Sequence, residues 1–264
     1  MNRIEERLNE VTKKGEKAFI TYMTAGLPDM EGMKSIIRAQ EEAGTDVLEL
    51  GIPFSDPVAD GPVIQAASYK AICQGVNLKS VFTAVSQMRA EGVQIPIVFM
   101  MYYNTILHYG VEYFVRTCEE TGVDGLIIPD LPFEEQAEIS QYLNHDASPI
   151  LIPLVSPVSK ERIPMLLENA RGFVYCVSSM GVTGQAADFH KEILNYLGNV
   201  KQISKIPVMM GFGIRTASDV EPMKDIIDGC IVGSHFIQLM EESNYSVSEA
   251  KRYIESFKKE LNHE

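Results

Sequence analysis

The chain has 264 residues and no tryptophan, although it carries 11 phenylalanines and 11 tyrosines. Cysteine is scarce. Cys73, Cys118, Cys176 and Cys230 stand far apart with no CxxC, which reads as reduced core thiols and excludes a disulfide frame or a cysteine zinc site. Positive charge is in deficit: 23 Lys+Arg against 36 Asp+Glu gives a net charge of −13. Such a chain repels phosphate backbones, so nucleic-acid and anionic-membrane binding are excluded. No apolar run approaches the ~20 residues of a membrane span. The opening MNRIEERLNEVTKKGEK is charged throughout and lacks the apolar core of a signal peptide, so a cytoplasmic location is expected. No linker or low-complexity segment divides the chain, and residues 1–264 are expected to form one domain. A hydrophobic content of 45% with 22% charged residues is that of a globular protein.

What is present is a repeat of short apolar runs and amphipathic stretches. The runs begin near Ala18, Val47, Ile97, Gly125, Ile150, Phe173, Val208 and Cys230. They are continuously apolar rather than alternating, as parallel strands covered on both faces should be. Between them lie helical periods such as Met33, Ile36, Ile37 and Gln40, and Val247, Ala250, Ile254, Phe257 and Leu261. Ser246 and Glu249 form a capping-box pattern before the last helix. Eight strand–helix units predict a (β/α)8 TIM barrel with extra helical segments. A doubly wound open sheet is the alternative, but the first run passes into Ala25-Gly26-Leu27-Pro28 rather than GxGxxG.

Barrel enzymes keep their sites at the C-terminal ends of the strands. Glu49 lies near such an end in VLELG, on the strand face opposite Leu48 and Leu50. That face points into the barrel, and no Lys or Arg occurs in any of the eight runs to pair with the carboxylate. Burial without a cation raises a carboxyl pKa and suits a proton donor or acceptor near neutral pH; a structural glutamate held by neutral hydrogen bonds is the other reading. Asp60 and Asp56 lie in the Pro53–Gly61 loop, as catalytic groups or turn residues. Asp130, after the fourth run, is a site residue or a helix cap. Glycines at Gly181 and Gly184, Gly211 and Gly213, and Gly233-Ser234 cluster after the sixth, seventh and eighth strands. Their backbone N–H groups suit a phosphate, or serve only tight turns. Phe19, Tyr22, Met100, Tyr102, Tyr175 and Phe212 are available to line an apolar pocket. There is no GxSxG elbow, Walker loop, barrel lysine for a Schiff base or histidine cluster for a metal. Carboxylate acid–base chemistry on a phosphorylated, mostly apolar substrate remains.

LELGIPFSDPVADGPVIQ (Leu48 to Gln65), TYMTAGLPD, MYYN, GLIIPDLPFEE, GVTG (Gly181 to Gly184), GFGI and Gly233-Ser234 occur in one collinear order. In these segments the chain resembles the tryptophan synthase alpha chain family. The resemblance implies retro-aldol cleavage of indole-3-glycerol phosphate to indole and glyceraldehyde 3-phosphate. It implies Glu49 as the acid–base residue and Asp60 as the group holding the indole N–H. Tyr175 is implied beside the substrate, Thr183 in a loop closing over the site, and Gly184, Gly213, Gly233 and Ser234 around the phosphate. No cofactor is implied in this chain. Pyridoxal phosphate is expected only in a partner, the beta chain, in an alpha2beta2 tetramer, with the loop from Pro53 facing that partner. Thr105 and Lys70 depart from the family's usual Pro and Arg. Another phosphate-binding barrel enzyme and a non-catalytic regulatory subunit are the competing readings.

Overall fold

A computed structural model describes residues 1–177, 186–211 and 213–262, with nine strands in one parallel sheet. They are β1 (Ala18–Thr24), β2 (Val47–Gly51), β3 (Ile97–Met100), β4 (Gly125–Ile127), β5 (Ile150–Leu151), β6 (Leu154–Val155), β7 (Val174–Cys176), β8 (Val208–Met210) and β9 (Gly229–Val232). Nine arise from eight runs because the run from Ile150 to Val155 is interrupted at Ile152-Pro153, where proline has no N–H to give a ladder. β5 pairs with β4, and β6 pairs with β7. At the break, the Ile152 N–H donates to Leu126 O and the Tyr175 N–H donates to Pro153 O. The interrupted run is thus one stave bonded on both sides. It closes a sheet whose remaining order is β4-β3-β2-β1-β9-β8-β7, which is a barrel and not an open sheet.

The helices of the described residues are α1 (Arg3–Lys13), α2 (Met30–Ala43), α3 (Pro62–Cys73), α4 (Leu78–Ala90), α5 (Tyr103–Tyr109), α6 (Val111–Thr121), α7 (Ala137–Ser140), α8 (Ile163–Leu167), α9 (Ala186–Ile203), α10 (Ser234–Glu242) and α11 (Val247–Asn262). Pairs α3–α4 and α5–α6 fill single connections, which supplies the expected extra segments. Ala250, Ile254, Phe257 and Leu261 of α11 are buried, but Val247 is exposed: it opens the first turn, ahead of the face that reaches the barrel. The Glu249 N–H donates to Ser246 Oγ at 3.4 Å, as the capping pattern predicts.

Strand alternation divides the core. Leu48, Leu50, Phe19 and Phe99 point outward into the layer shared with the helices. Ile20, Val47, Val98, Ile127 and Ile231 point inward and meet Ile4, Leu8 and Val11 of α1, which plugs the N-terminal end of the barrel. At that end one device recurs. Asp46, Asp124 and Asp228 each precede a strand, and each accepts the N–H of a residue in the preceding strand of the sequence: Phe19 at 2.7 Å for Asp46, Ile97 at 2.8 Å for Asp124 and Val208 at 2.8 Å for Asp228. Polar organisation of the N-terminal face leaves the other end of the barrel open for a site.

Candidate active site

Inward alternation carries Glu49 into the barrel, one pleat above Val47. It is 1% exposed, and its Oε2 has no hydrogen-bond partner among the described residues. Burial, reinforced by the nearby Asp60 carboxyl, pushes its pKa up to about 8. A buried acid that costs several kcal/mol to ionise is normally mated with a cation, and no cation contributes to this shift. Near neutrality Glu49 is therefore mostly a carboxylic acid, poised to give a proton and take one back.

Glu49 stands beside Tyr22, its register partner on β1. The phenol of Tyr22 fits only because residue 51 is glycine: a Cβ there would lie 2.0 Å from the Tyr22 hydroxyl oxygen. Gly211 does the same for Tyr175, since a Cβ would come within 2.6 Å of the ring. Burial raises both phenol pKa values well above the ordinary tyrosine value, so both hydroxyls remain protonated.

Asp60 reaches the same space from the loop after β2. The Tyr102 hydroxyl donates to Asp60 Oδ2 at 3.0 Å and accepts the Ala59 N–H at 2.9 Å. Tyr102 itself stacks on Phe54, with ring centroids 5.0 Å apart, and the Phe54 N–H donates to Ser68 Oγ. Burial raises the Asp60 pKa, opposed by the Tyr102 hydrogen bond.

These groups open onto a cavity of about 710 Å³ at the C-terminal ends of the strands. Glu49 on β2, Asp60 after it and Met100 on β3 line one side of it, Gly213 after β8 and Gly233 and Ser234 after β9 line another, and Tyr22 of β1 and Tyr175 of β7 also line it. Gly233 is the N-cap of α10 and contributes no side chain, so N–H groups of the first helical turn remain available to an anion. Ile127, Leu154 and Ile231 supply apolar wall. Among the described residues no three His, Cys, Asp or Glu side chains converge to hold a metal ion.

A sequence model of the family described as "Tryptophan synthase alpha chain" matches residues 8–264. The tryptophan synthase alpha chain of Lachnospira eligens is 66% identical over 99% of this chain and 100% of its own length. That of a Thermoanaerobacter species is 44% identical over 97% of each. The chain belongs to the tryptophan synthase alpha chain family. Among solved structures, tryptophan synthase subunit alpha from Legionella pneumophila superposes with a TM-score of 0.88 at 33% identity, over 99% of this chain and 98% of that one. A tryptophan synthase structure from M. tuberculosis in an aminoacrylate-bound form has a TM-score of 0.86 at 29% identity, over 99% and 100%.

Within this family member, eight of the site residues expected from sequence meet around one cavity. Tyr102 is not among the lining residues; it acts behind Asp60. Thr183, Gly184 and Phe212 lie outside the described residues. Phe19 is turned away and stacks on Phe257 at 4.3 Å, because it sits three positions from Tyr22 on a strand and so faces the other side. Asp130 is a cap, though for a different helix than the one following it: its Oδ1 accepts the Tyr103 N–H at the start of α5. Sequence reasoning passed over Arg215, His235 and Gln238, which also line the cavity. Their signal was position: Arg215 lies two residues past Gly213, and His235 directly follows Ser234.

Proposed function

We propose that this chain cleaves indole-3-glycerol phosphate to indole and glyceraldehyde 3-phosphate. The observation that carries the reading is Glu49, a buried acid on which no cation acts, in a cavity also lined by Gly213, Gly233 and Ser234 of the turns after β8 and β9. Glu49 protonates the ring carbon that bears the side chain, and the ring nitrogen takes up the positive charge as an iminium. The Glu49 carboxylate then removes the proton of the side-chain hydroxyl next to that carbon. The carbon–carbon bond breaks, its electron pair returns to the ring, the oxygen becomes the aldehyde carbonyl, and Glu49 ends protonated as it began. Asp60 holds the ring N–H and stabilises the iminium charge, which is larger in the transition state than in the substrate. Tyr22, Met100 and Tyr175 border the ring, and Gly213, Gly233 and Ser234 hold the phosphate through backbone N–H groups.

The acceptor of the indole is proposed to be a tryptophan synthase beta chain carrying pyridoxal phosphate, in an alpha2beta2 assembly in the cytoplasm. The loop after β2 suits this contact: its tip, Val58, is 84% exposed, and Asp60 is four residues from Asp56 on the same loop. The test is indole release from indole-3-glycerol phosphate by the wild type and by Glu49→Gln, each with and without a beta chain. Slow release alone, stimulation by the beta chain and loss of at least about a thousandfold in Glu49→Gln are expected. Full activity in Glu49→Gln overturns the acid–base role, and activity only on other sugar phosphates overturns the reaction.

A further inference from the structure

The cavity holds a charge that neither the reaction nor the backbone cradle uses. Arg215 lines it together with His235, Gly213 and Ser234, all in the turns after β8 and β9. The stem of Arg215 is anchored: its N–H donates to Asp219 Oδ2 at 2.9 Å, and its carbonyl accepts from the Tyr253 hydroxyl at 2.8 Å. Its guanidinium, by contrast, has no ion pair or hydrogen bond among the described residues. The Asp219 carboxylate lies close enough to feel the Arg215 charge, but its Oδ2 is taken by the Arg215 and Thr216 N–H groups and the Thr216 hydroxyl, and it makes no ion pair with the guanidinium. A second base converges here. Burial, then the Arg215 charge, lower the pKa of His235, so the imidazole is neutral near pH 7. Arg215, in the turn after β8, and His235, in the first turn of α10, thus place a guanidinium without a hydrogen-bonded carboxylate among the described residues beside the glycine turns, apart from Glu49 and Asp60 on and after β2.

We propose that the Arg215 guanidinium binds the substrate's phosphate directly, adding a charged side chain to the backbone cradle. The inference rests on the retro-aldol reading, which supplies a phosphorylated ligand whose indole end lies by Glu49 and Asp60. Arg215 is distant from the bond that breaks, so its contact is the same in substrate and transition state. Such a contact lowers KM and leaves kcat alone. Its exposure to solvent makes it salt-sensitive.

The test uses 3-(indol-3-yl)propyl phosphate and the matching alcohol, 3-(indol-3-yl)propanol. Because the chain has no tryptophan, the indole of either ligand is the only one in the sample and its fluorescence reports binding. Arg215→Gln is expected to weaken the phosphate ligand about tenfold and the alcohol less than about twofold, with Arg215→Lys in between. The salt dependence of phosphate-ligand binding flattens in Arg215→Gln, and in turnover KM rises while kcat holds. Equal affinity of wild type and Arg215→Gln for the phosphate ligand overturns the proposal, as does a wild type that prefers the phosphate no more than the alcohol. If the wild type releases no indole but keeps an Arg215-dependent phosphate preference, the reaction reading fails and the Arg215 contact stands.

Discussion

At the scale of single residues, the decisive feature is a proton. Glu49 has a folded-state pKa of about 8 against an ordinary value of 4.5, so the folded protein keeps a proton that the unfolded chain releases between those values. If Glu49 acts first as an acid, kcat/KM falls as pH rises through about 8. The acid-side limb comes from Asp60, whose raised pKa means that its carboxylate is lost earlier than usual as pH falls. A rate that instead climbs through pH 8 assigns Glu49 the base role first. The same shift has a thermodynamic sign. The native state binds more protons than the unfolded state in that window, so Glu49 makes stability fall as pH rises from about 4.5 to 8. Glu49→Gln removes that slope. It is expected to unfold at a higher temperature than the wild type at pH 8 while losing activity, and a lower melting temperature at that pH counts against an uncompensated carboxyl. The neighbouring glycine is equally specific. Gly51→Ala places a methyl 2.0 Å from where the Tyr22 oxygen lies, so Tyr22 must move beside Glu49. A Cβ there would also lie 2.5 and 2.8 Å from two Tyr22 ring carbons, so adding Tyr22→Phe is not expected to restore the activity lost in Gly51→Ala.

Secondary-structure elements differ in how far their chemistry could be read in advance. Strand β2 was legible because a single charge in an apolar run can be buried only by the rule of alternation, and the same rule placed Leu48 and Leu50 outside. The fifth stave was legible as a run but not as two strands, because the effect of Pro153 depends on which neighbour needs its N–H. Tyr102 was legible as an aromatic near the site but not as a support for Asp60. That role depends on the path of the loop from Phe54 to Asp60, which local propensity does not determine. Arg215 was missed for a related reason: a charged residue after a glycine turn looks solvated until the turn is seen to face the cavity. The support role is testable. Tyr102→Phe removes the donor to Asp60 and the acceptor of the Ala59 N–H while keeping the stack on Phe54. A kcat lower by about tenfold with an unchanged fold is expected, from loss of one hydrogen bond to a charged group. Wild-type kcat in this variant removes Tyr102 from the positioning of Asp60.

Across the whole molecule, the two ends of the barrel have separate tasks. The C-terminal end holds a buried acid with no cation acting on it, which costs stability, and two tyrosines admitted by glycines. The N-terminal end holds paired charges instead. Asp124 binds Arg3 and Arg89 at 2.7 Å each in addition to the Ile97 N–H, and Asp46 binds Arg7 and Lys258 in addition to the Phe19 N–H. These aspartates tie α1, α4 and α11 to the strand starts, far along the barrel from Glu49. Asp124→Asn leaves Arg89, which is nearly buried, without its charge partner. A loss of about 3 kcal/mol is expected, comparable to breaking other buried ion pairs, and the melting temperature falls by several degrees. Because the register of β2, β3 and β4 is still held by their ladders, kcat measured well below the new melting temperature should stay within about twofold of the wild type. Glu49→Gln has the opposite signature at pH 8, with activity lost and stability gained. If Asp124→Asn lowers kcat as much as it lowers stability, the two ends are coupled through the strands, and the division of labour along the barrel axis is wrong.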